Sequence, residues 1–326
     1  VLRNNRLNAA RDKGLFPLDA PIVDSLSSLK KWEEIDGQKK KFLIKSAAVF
    51  AGMLNAMDFH IGRLVSYLKE NDLYENTIFI ITADNGPEGN NPEEHQAWRS
   101  WIGTTSYTRN IDTLGEENSY VFIGTEFAQA MASPHHMFKF HMNEGGLKVP
   151  LIMSGNGITK GVYSEFTYLT DIAATISKII TGEVPERMIG KSLEQVLRGS
   201  LEKVYEENEY IGLEVAGNSA LFKGDYKILK NRPPTGDNIW HLYNLADDPG
   251  ETNDLAKQKP DIFQQLLKHY DEYVADNGVI DLGPDYYWAT EMTVNTAKRR
   301  FAEFIPSLIF IILIIGLIVI VYIRRR

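Results

Sequence analysis

Asp84 and Asn85 stand at the end of an apolar run, Thr77-Ile78-Phe79-Ile80-Ile81-Thr82-Ala83, and Gly86 follows them at once. A carboxylate beside a carboxamide offers two hard oxygen donors, which suit Ca²⁺ or Mg²⁺ far better than zinc or copper. An apolar run without alternation reads as a strand buried on both faces, as in a parallel sheet flanked by helices. In open α/β sheets ligands bind beyond the carboxyl ends of the strands. The chemistry on offer is a hard cation holding an anionic ligand. Asn85-Gly86 is also a tight-hairpin signal. The polar continuation Pro87-Glu88-Gly89-Asn90-Asn91-Pro92-Glu93-Glu94 makes a poor return strand, because prolines interrupt it.

Lys139, ahead of Glu144-Gly145-Gly146, is the second candidate. An ammonium is a compact point charge suited to an anionic oxygen, although on the residue alone a solvated surface lysine is the favoured reading. Gly145 and Gly146 suit a close backbone approach or a turn with positive φ, and not a phosphate cradle. His95, His135, His136 and His141 invite a zinc reading, but their spacing matches neither a helical pair nor a finger, and the chain has no cysteine. Asp248-Pro249-Gly250-Glu251 reads as a structural loop in spite of its carboxylates.

Elements must hold these groups. Leu43, Ala47, Phe50, Leu54, Met57, Ile61, Leu64 and Leu68 recur in steps of three and four, which predicts a helix with one buried stripe packed on a sheet. Asn71 and Asp72 close it, and the strand at Thr77 completes half of a βαβ unit. Residues 87 to 138 are long for a connection and contain Trp98, Trp101, Tyr107, Tyr120 and Phe122. These rings could line a pocket, but packing of the insertion onto the body is the favoured reading. A second strand is expected at Val149-Pro150-Leu151-Ile152-Met153, and a helix from Thr167 to Ile180 with Asp171 in its first turn. Beyond residue 200 short strands are expected at Glu209 to Val215, Ser219 to Phe222, Tyr226 to Leu229 and Ile239 to Tyr243, then a helix from Asp261 to Ala275. That pattern is a small antiparallel α+β subdomain.

Of 326 residues, 44% are hydrophobic and 24% charged, an ordinary globular balance. A net charge of −8 without a basic stripe argues against nucleic acid as partner. Phe304 to Ile323 is uncharged and precedes Arg324-Arg325-Arg326. Twenty helical residues span about 30 Å, so a transmembrane helix is expected, with the arginines cytoplasmic and the body periplasmic or extracellular. Lys298, Arg299 and Arg300 are a weaker counter-signal, and a tail anchor facing the cytoplasm is the competing topology. The expected division is a lead-in over 1–40, an α/β part over 41–199, the antiparallel subdomain over 200–298 and the anchor with its basic tail over 299–326.

Met57-Asp58 with Ile61-Gly62-Arg63-Leu64, then Asp84-Asn85-Gly86, then Lys139 with Glu144-Gly145-Gly146 and Val149-Pro150, occur in that order. Leu242-Tyr243-Asn244-Leu245, Asp248-Pro249-Gly250-Glu251 and Asn253-Asp254-Leu255-Ala256 follow. Over residues 1 to about 280 the chain resembles the C-terminal part of a sulfatase, nearest the bacterial-type arylsulfatases of the alkaline phosphatase superfamily. The resemblance implies a partial alkaline phosphatase-like fold, with a mostly parallel sheet flanked by helices. It implies that Asp84 and Asn85 bind a calcium ion, with magnesium second, and that Lys139 touches a sulfate oxygen. Asp-Asn-Gly, in place of the Asp-His-Gly of related two-zinc phosphatases and phosphodiesterases, favours one hard cation and sulfate chemistry.

The formylglycine nucleophile of the family arises from Cys-x-Pro-x-Arg or Ser-x-Pro-x-Arg, and neither pattern occurs here, since Ser133-Pro134 lacks the spacing and the arginine. The paired aspartates and upstream histidines of the family are absent too. Two oxygens cannot fill a calcium shell of six to eight ligands. The expectation is an N-terminal half outside this chain that supplies them, the substrate being a small sulfate ester or a sulfated glycan. As the isolated fragment the chain is not expected to turn over. The alternatives are a phosphonate or phosphodiester hydrolase of the same superfamily, and a non-catalytic membrane-tethered module that binds sulfated ligands.

Overall fold

The computed structural model describes residues 2–21, 31–91, 107–108, 110–283 and 285–324. Described residues up to Val279 form one compact unit, and those from Ile280 onward belong to a second.

The first unit opens with α1 (Leu2–Asp12), whose Leu7 packs with Phe16 and Ala20. The long α2 (Gly37–Glu70) starts where Asp36 accepts hydrogen bonds from the Gln38 and Lys39 amides at 2.9 and 3.2 Å, a cap that supplies partners for two orphan donors of the first turn. After the turn at Asn71 and Asp72 comes β1 (Ile78–Thr82). Then follow α3 (Gly124–Ala132), the single turn α4 (Glu144–Leu147), β2 (Leu151–Gly155), α5 (Thr170–Thr181) and the short α6 (Glu194–Leu197).

Two expectations about this part fail. The strands β1 and β2 pair antiparallel, Ile80 opposite Met153, so the mostly parallel sheet is not formed among the described residues. A parallel sheet needs further strands beside them, and none of the described strands joins this pair. The stripe on α2 is also not buried along its length. Leu43 is 1% exposed, but Leu54, Met57 and Leu64 are 46, 52 and 50% exposed, since α2 packs mainly on the turn at Tyr74–Asn76 and on α3, which cover only part of its length. Ile81 of β1 and Ile152 of β2 are exposed as well.

The described part of the 87–138 insertion packs on the body. Phe122 lies against Phe42 with centroids 5.0 Å apart, Phe127 meets Trp32 edge to face at 5.7 Å, and Ile123, Ala128, Met137 and Phe138 gather around Phe50. Trp98, Trp101 and His95 lie outside the described residues.

The rest of this unit is a four-stranded antiparallel sheet in the order β3 (Tyr210–Val215), β4 (Asn218–Lys223), β5 (Tyr226–Lys230) and β6 (His241–Asn244). Two-residue hairpins join the first three strands, and Ala216 and Gly217 both take positive φ, the type I′ geometry that matches strand twist. Helix α7 (Pro260–Asn277) has proline at its start and Gly278 in the left-handed conformation at its end, and lays Leu266 and Tyr270 on Leu221, Ile228 and Leu242. The sheet's other face carries Ala220, Phe222 and Leu229 against Met142.

The second unit contains α8 (Trp288–Arg324), whose 37 residues span about 55 Å and whose described apolar side chains from Phe304 onward, Phe304, Leu308, Phe310, Leu313 and Ile320 among them, are exposed. It is long and apolar enough to cross a membrane, and α2 meets the same test of length and composition.

Candidate functional site

Beyond β1 the chain passes from exposed Asp84 through half-buried Asn85 to buried Gly86 and meets the loop that carries Lys139. The Gly86 amide donates to the Gly146 carbonyl at 2.9 Å, and the Lys139 amide donates to the Pro87 carbonyl at 3.1 Å. These two bonds lock the strand end to the lysine loop, backbone to backbone. The glycines make the contact sterically possible. A Cβ on Gly86 would lie 1.9 Å from the Gly145 carbonyl oxygen, and one on Gly145 or Gly146 would fall 2.1 or 2.3 Å from the Met137 or His141 oxygen. No other residue fits so close an approach.

Lys139 is half-buried between Met137 and Phe140, which both take positive φ, 62° and 75°. Its ammonium lies 3.0 Å from Glu88 Oε2 and 5.3 Å from the centroid of the Phe140 ring. Glu88 is therefore a neighbour of the site that the sequence reading did not single out. The carboxylate is 42% exposed and the lysine 31%, so the pair is weak and exchangeable, worth about 1 kcal/mol at most.

From the other side, the C-terminal sheet and its loops grip the segment between Lys139 and Gly146. Asn218 donates to the Phe140 carbonyl at 2.6 Å, Asn231 accepts from the Met142 amide at 2.9 Å, and its amide group donates to Asn143 Oδ1 at 2.7 Å. Glu144 is buried. Its amide donates to Glu251 Oε2 at 2.9 Å, while the Lys227 ammonium donates to Glu144 Oε1 and Glu251 Oε1, both at 2.8 Å. Lys227 and Glu251 have no exposed side-chain surface. Burial disfavours all three charges. The two carboxylates nevertheless raise the Lys227 pKa, and Lys227 and Lys148 hold Glu144 below the usual carboxylate range. Burial and the neighbouring Glu144 push Glu251 up, since two like charges share one ammonium. Sequence spacing could not reveal this cluster: Lys227 is separated from Glu144 by 83 positions, and alternation in β5 alone would not distinguish a buried lysine.

The histidines face the same loop. His135 Nδ1 lies 3.2 Å from the Pro249 carbonyl, His141 bonds to the Phe138 carbonyl and to Thr235 Oγ1, and His136 Nδ1 is 3.5 Å from Asn143 Nδ2. Burial lowers all three, His136 to about 4. At neutral pH they are uncharged rings packed into the loop.

As ligands for a hard cation, Asp84 and Asn85 are suited by donor chemistry and by their place at a strand end open to solvent. No cluster of three or more histidine, aspartate or glutamate side chains fit for a metal exists among the described residues.

Comparison with known proteins adds the context. The family model described as Sulfatase matches residues 19–182, and the model described as N-sulphoglucosamine sulphohydrolase, C-terminal, matches residues 134–276. An uncharacterised sulfatase of Schizosaccharomyces pombe is 31% identical over 303 residues, covering 88% of this chain and 54% of the relative. An N-acetylgalactosamine-6-O-sulfatase of Bacteroides thetaiotaomicron is 26% identical over 223 residues, 64% of this chain and 39% of the relative. The chain thus spans about half, or less, of the length of these relatives. Among solved structures, Ps i-CgsB in complex with k-i-k-neocarrahexaose superposes with a TM-score of 0.52 at 18% identity, over 90% of this chain and 57% of the other, a likeness of fold.

Proposed function

The chain belongs to the sulfatase family, a sulfate-ester hydrolase family of the alkaline phosphatase superfamily, and from that premise we propose that it is the C-terminal part of a membrane-anchored sulfatase. In this reading Asp84 and Asn85 hold a calcium ion, with magnesium the lesser alternative, and Lys139 is a catalytic residue that contacts a sulfate oxygen. A sulfate ester keeps its negative charge on the non-bridging oxygens during hydrolysis. An ammonium aimed at those oxygens stabilises that charge without proton transfer. When bound, the cation adds a second positive charge at the same oxygens. The nucleophile, a formylglycine, comes from an N-terminal half outside this chain, which also supplies the remaining cation ligands and the strands that extend β1 and cover α2.

The observation that carries this reading is the double backbone lock, Gly86 to Gly146 and Lys139 to Pro87, which holds two oxygen donors and an ammonium on neighbouring loops. The Lys139–Glu88 pair is no obstacle, because a pair so exposed yields readily to an incoming anion. The substrate is a small sulfate ester or a sulfated glycan, a choice supported by the relative named as an N-acetylgalactosamine-6-O-sulfatase. Helix α8 anchors the protein in a membrane with Arg324 on the cytoplasmic side and the body outside the cytoplasm.

The test is hydrolysis of 4-nitrophenyl sulfate by the full-length protein. Asp84→Ala, Asn85→Ala and Lys139→Ala are each expected to lower kcat/KM about 100-fold or more, the usual effect of removing one preorganised electrostatic group. Lys148→Ala, at an exposed position beyond the glycines, is expected to stay within about threefold. Wild-type rates in all three site variants overturn the assignment.

A further inference from the structure

The reaction proposed above makes no use of Lys227, Glu144 and Glu251, yet they form the most deeply buried charge cluster among the described residues. Stability alone is a poor reason for it. Apolar side chains of similar volume commonly serve a core as well as a buried ion pair does, because desolvation offsets the attraction between the charges. What the cluster does is directional. Lys227 reaches from β5, and Glu251 from the loop after β6. Both end on Glu144, the residue immediately before Gly145-Gly146.

Asn218 and Asn231 reinforce the same grip through Phe140, Met142 and Asn143. Every residue from Phe140 to Glu144 except His141 is thus tied to the C-terminal sheet or its loops by one of these bonds, and His141 itself bonds to Thr235. The residues that flank this segment, Lys139 and Gly146, are locked to Pro87 and Gly86. At Gly86, Gly145 and Gly146 there is no room even for a methyl group, so a shift of Glu144 must pass to Gly86 and the strand end.

Resting on the reading above, we propose that Lys227, Glu144 and Glu251 form a positioning clasp, which sets the loop bearing Lys139 against the strand end bearing Asp84 and Asn85. None of the three touches substrate. The clasp acts through Lys139 and Gly146, and the C-terminal sheet thereby has a role in the site at a distance from it.

The experiment is a double-mutant cycle between Glu251→Ala and Lys139→Ala in the full-length protein, with 4-nitrophenyl sulfate as probe and hydrogen exchange as a second readout. Glu251→Ala is expected to lower kcat/KM at least 10-fold when Lys139 is present and by a factor at least threefold smaller when Lys139 is already alanine, the remainder acting through Gly146 on the strand end. Exchange in a peptide covering residues 83–88 is expected to rise at least 10-fold, with that of β4 unchanged. A merely structural role predicts equal fold-losses in both backgrounds, and that result overturns the proposal, as does unchanged exchange at Gly86. Wild-type activity in Lys139→Ala instead refutes the sulfatase assignment of the lysine, and the exchange arm alone then decides whether the clasp sets the loop. If Glu251→Ala does not fold, Glu251→Asp, which keeps the charge and shortens the reach by a methylene, goes through the same cycle. Unchanged kcat/KM and unchanged exchange in that variant overturn the clasp.

Discussion

Gly86→Ala probes the junction on which the site depends. Its added methyl carbon would sit 1.9 Å from the Gly145 carbonyl oxygen, where ordinary contact begins at 3.4 Å, so the loops must part by about 1.5 Å. That movement takes the 2.9 Å bond between the Gly86 amide and the Gly146 carbonyl out of hydrogen-bonding range. Overpacking a tight interior costs about 1–3 kcal/mol, and a buried amide left without its acceptor costs about 1–3 kcal/mol more. The expected destabilisation is therefore about 2–6 kcal/mol, which lowers Tm by roughly 4–24 °C at about 2–4 °C per kcal/mol. Where the protein still folds, misplacement by about 1 Å should lower kcat/KM about 100-fold. Differential scanning fluorimetry and the 4-nitrophenyl sulfate assay on full-length protein measure both. Gly161→Ala is the control, since a Cβ there meets nothing within 4 Å. A Gly86→Ala protein that melts within 1 °C of wild type at full rate refutes the backbone contact between the two loops.

Three further outcomes are expected. Lys227→Met leaves the buried Glu144 and Glu251 carboxylates without their cation and should cost about 3–5 kcal/mol, read as a fall in Tm of roughly 10 °C; a change below 2 °C contradicts the buried cluster. Glu88→Gln removes the carboxylate beside Lys139 and should leave Tm within about 2 °C. It should also tighten competitive inhibition by inorganic sulfate, whereas weaker inhibition would make Glu88 a contributor to anion binding. Stability should fall as pH drops below about 6.5. Burial lowers the folded-state pKa of His135, His136 and His141, His136 to about 4, so the unfolded chain takes up protons first. The window for His136 runs from about 6.5 down to about 4, and a Tm that holds or rises across it refutes the neutral, buried rings.

The elements with local signals were legible in the sequence. Asp84-Asn85-Gly86 follows a strand that stops at Thr82, the Gly224-Asp225 turn joins β4 to β5, and the helices at Gly37–Glu70 and Pro260–Asn277 follow their apolar spacing. Partners across the fold were not legible. The apolar run at Ile78–Thr82 is legible as a strand, but its antiparallel pairing with Leu151–Gly155 is not, because strand direction depends on what lies beside it. Helix α3 was hidden inside an insertion judged by its length and its aromatic residues, although Ala128, Ala130 and Ala132 with Glu126 in the first turn were a usable helix signal. For the site, Asp84, Asn85 and Lys139 were found by residue type and resemblance. Glu88 and the Lys227 cluster were not, since each depends on contacts between loops distant in sequence.

The most direct test is a crystal structure of the full-length protein grown with calcium and sulfate. The account predicts a calcium ion about 2.3–2.6 Å from a carboxylate oxygen of Asp84 and the amide oxygen of Asn85, with the Lys139 ammonium about 3 Å from an oxygen of the bound sulfate. Calcium and sulfate bound elsewhere, with Lys139 still paired to Glu88, would contradict it.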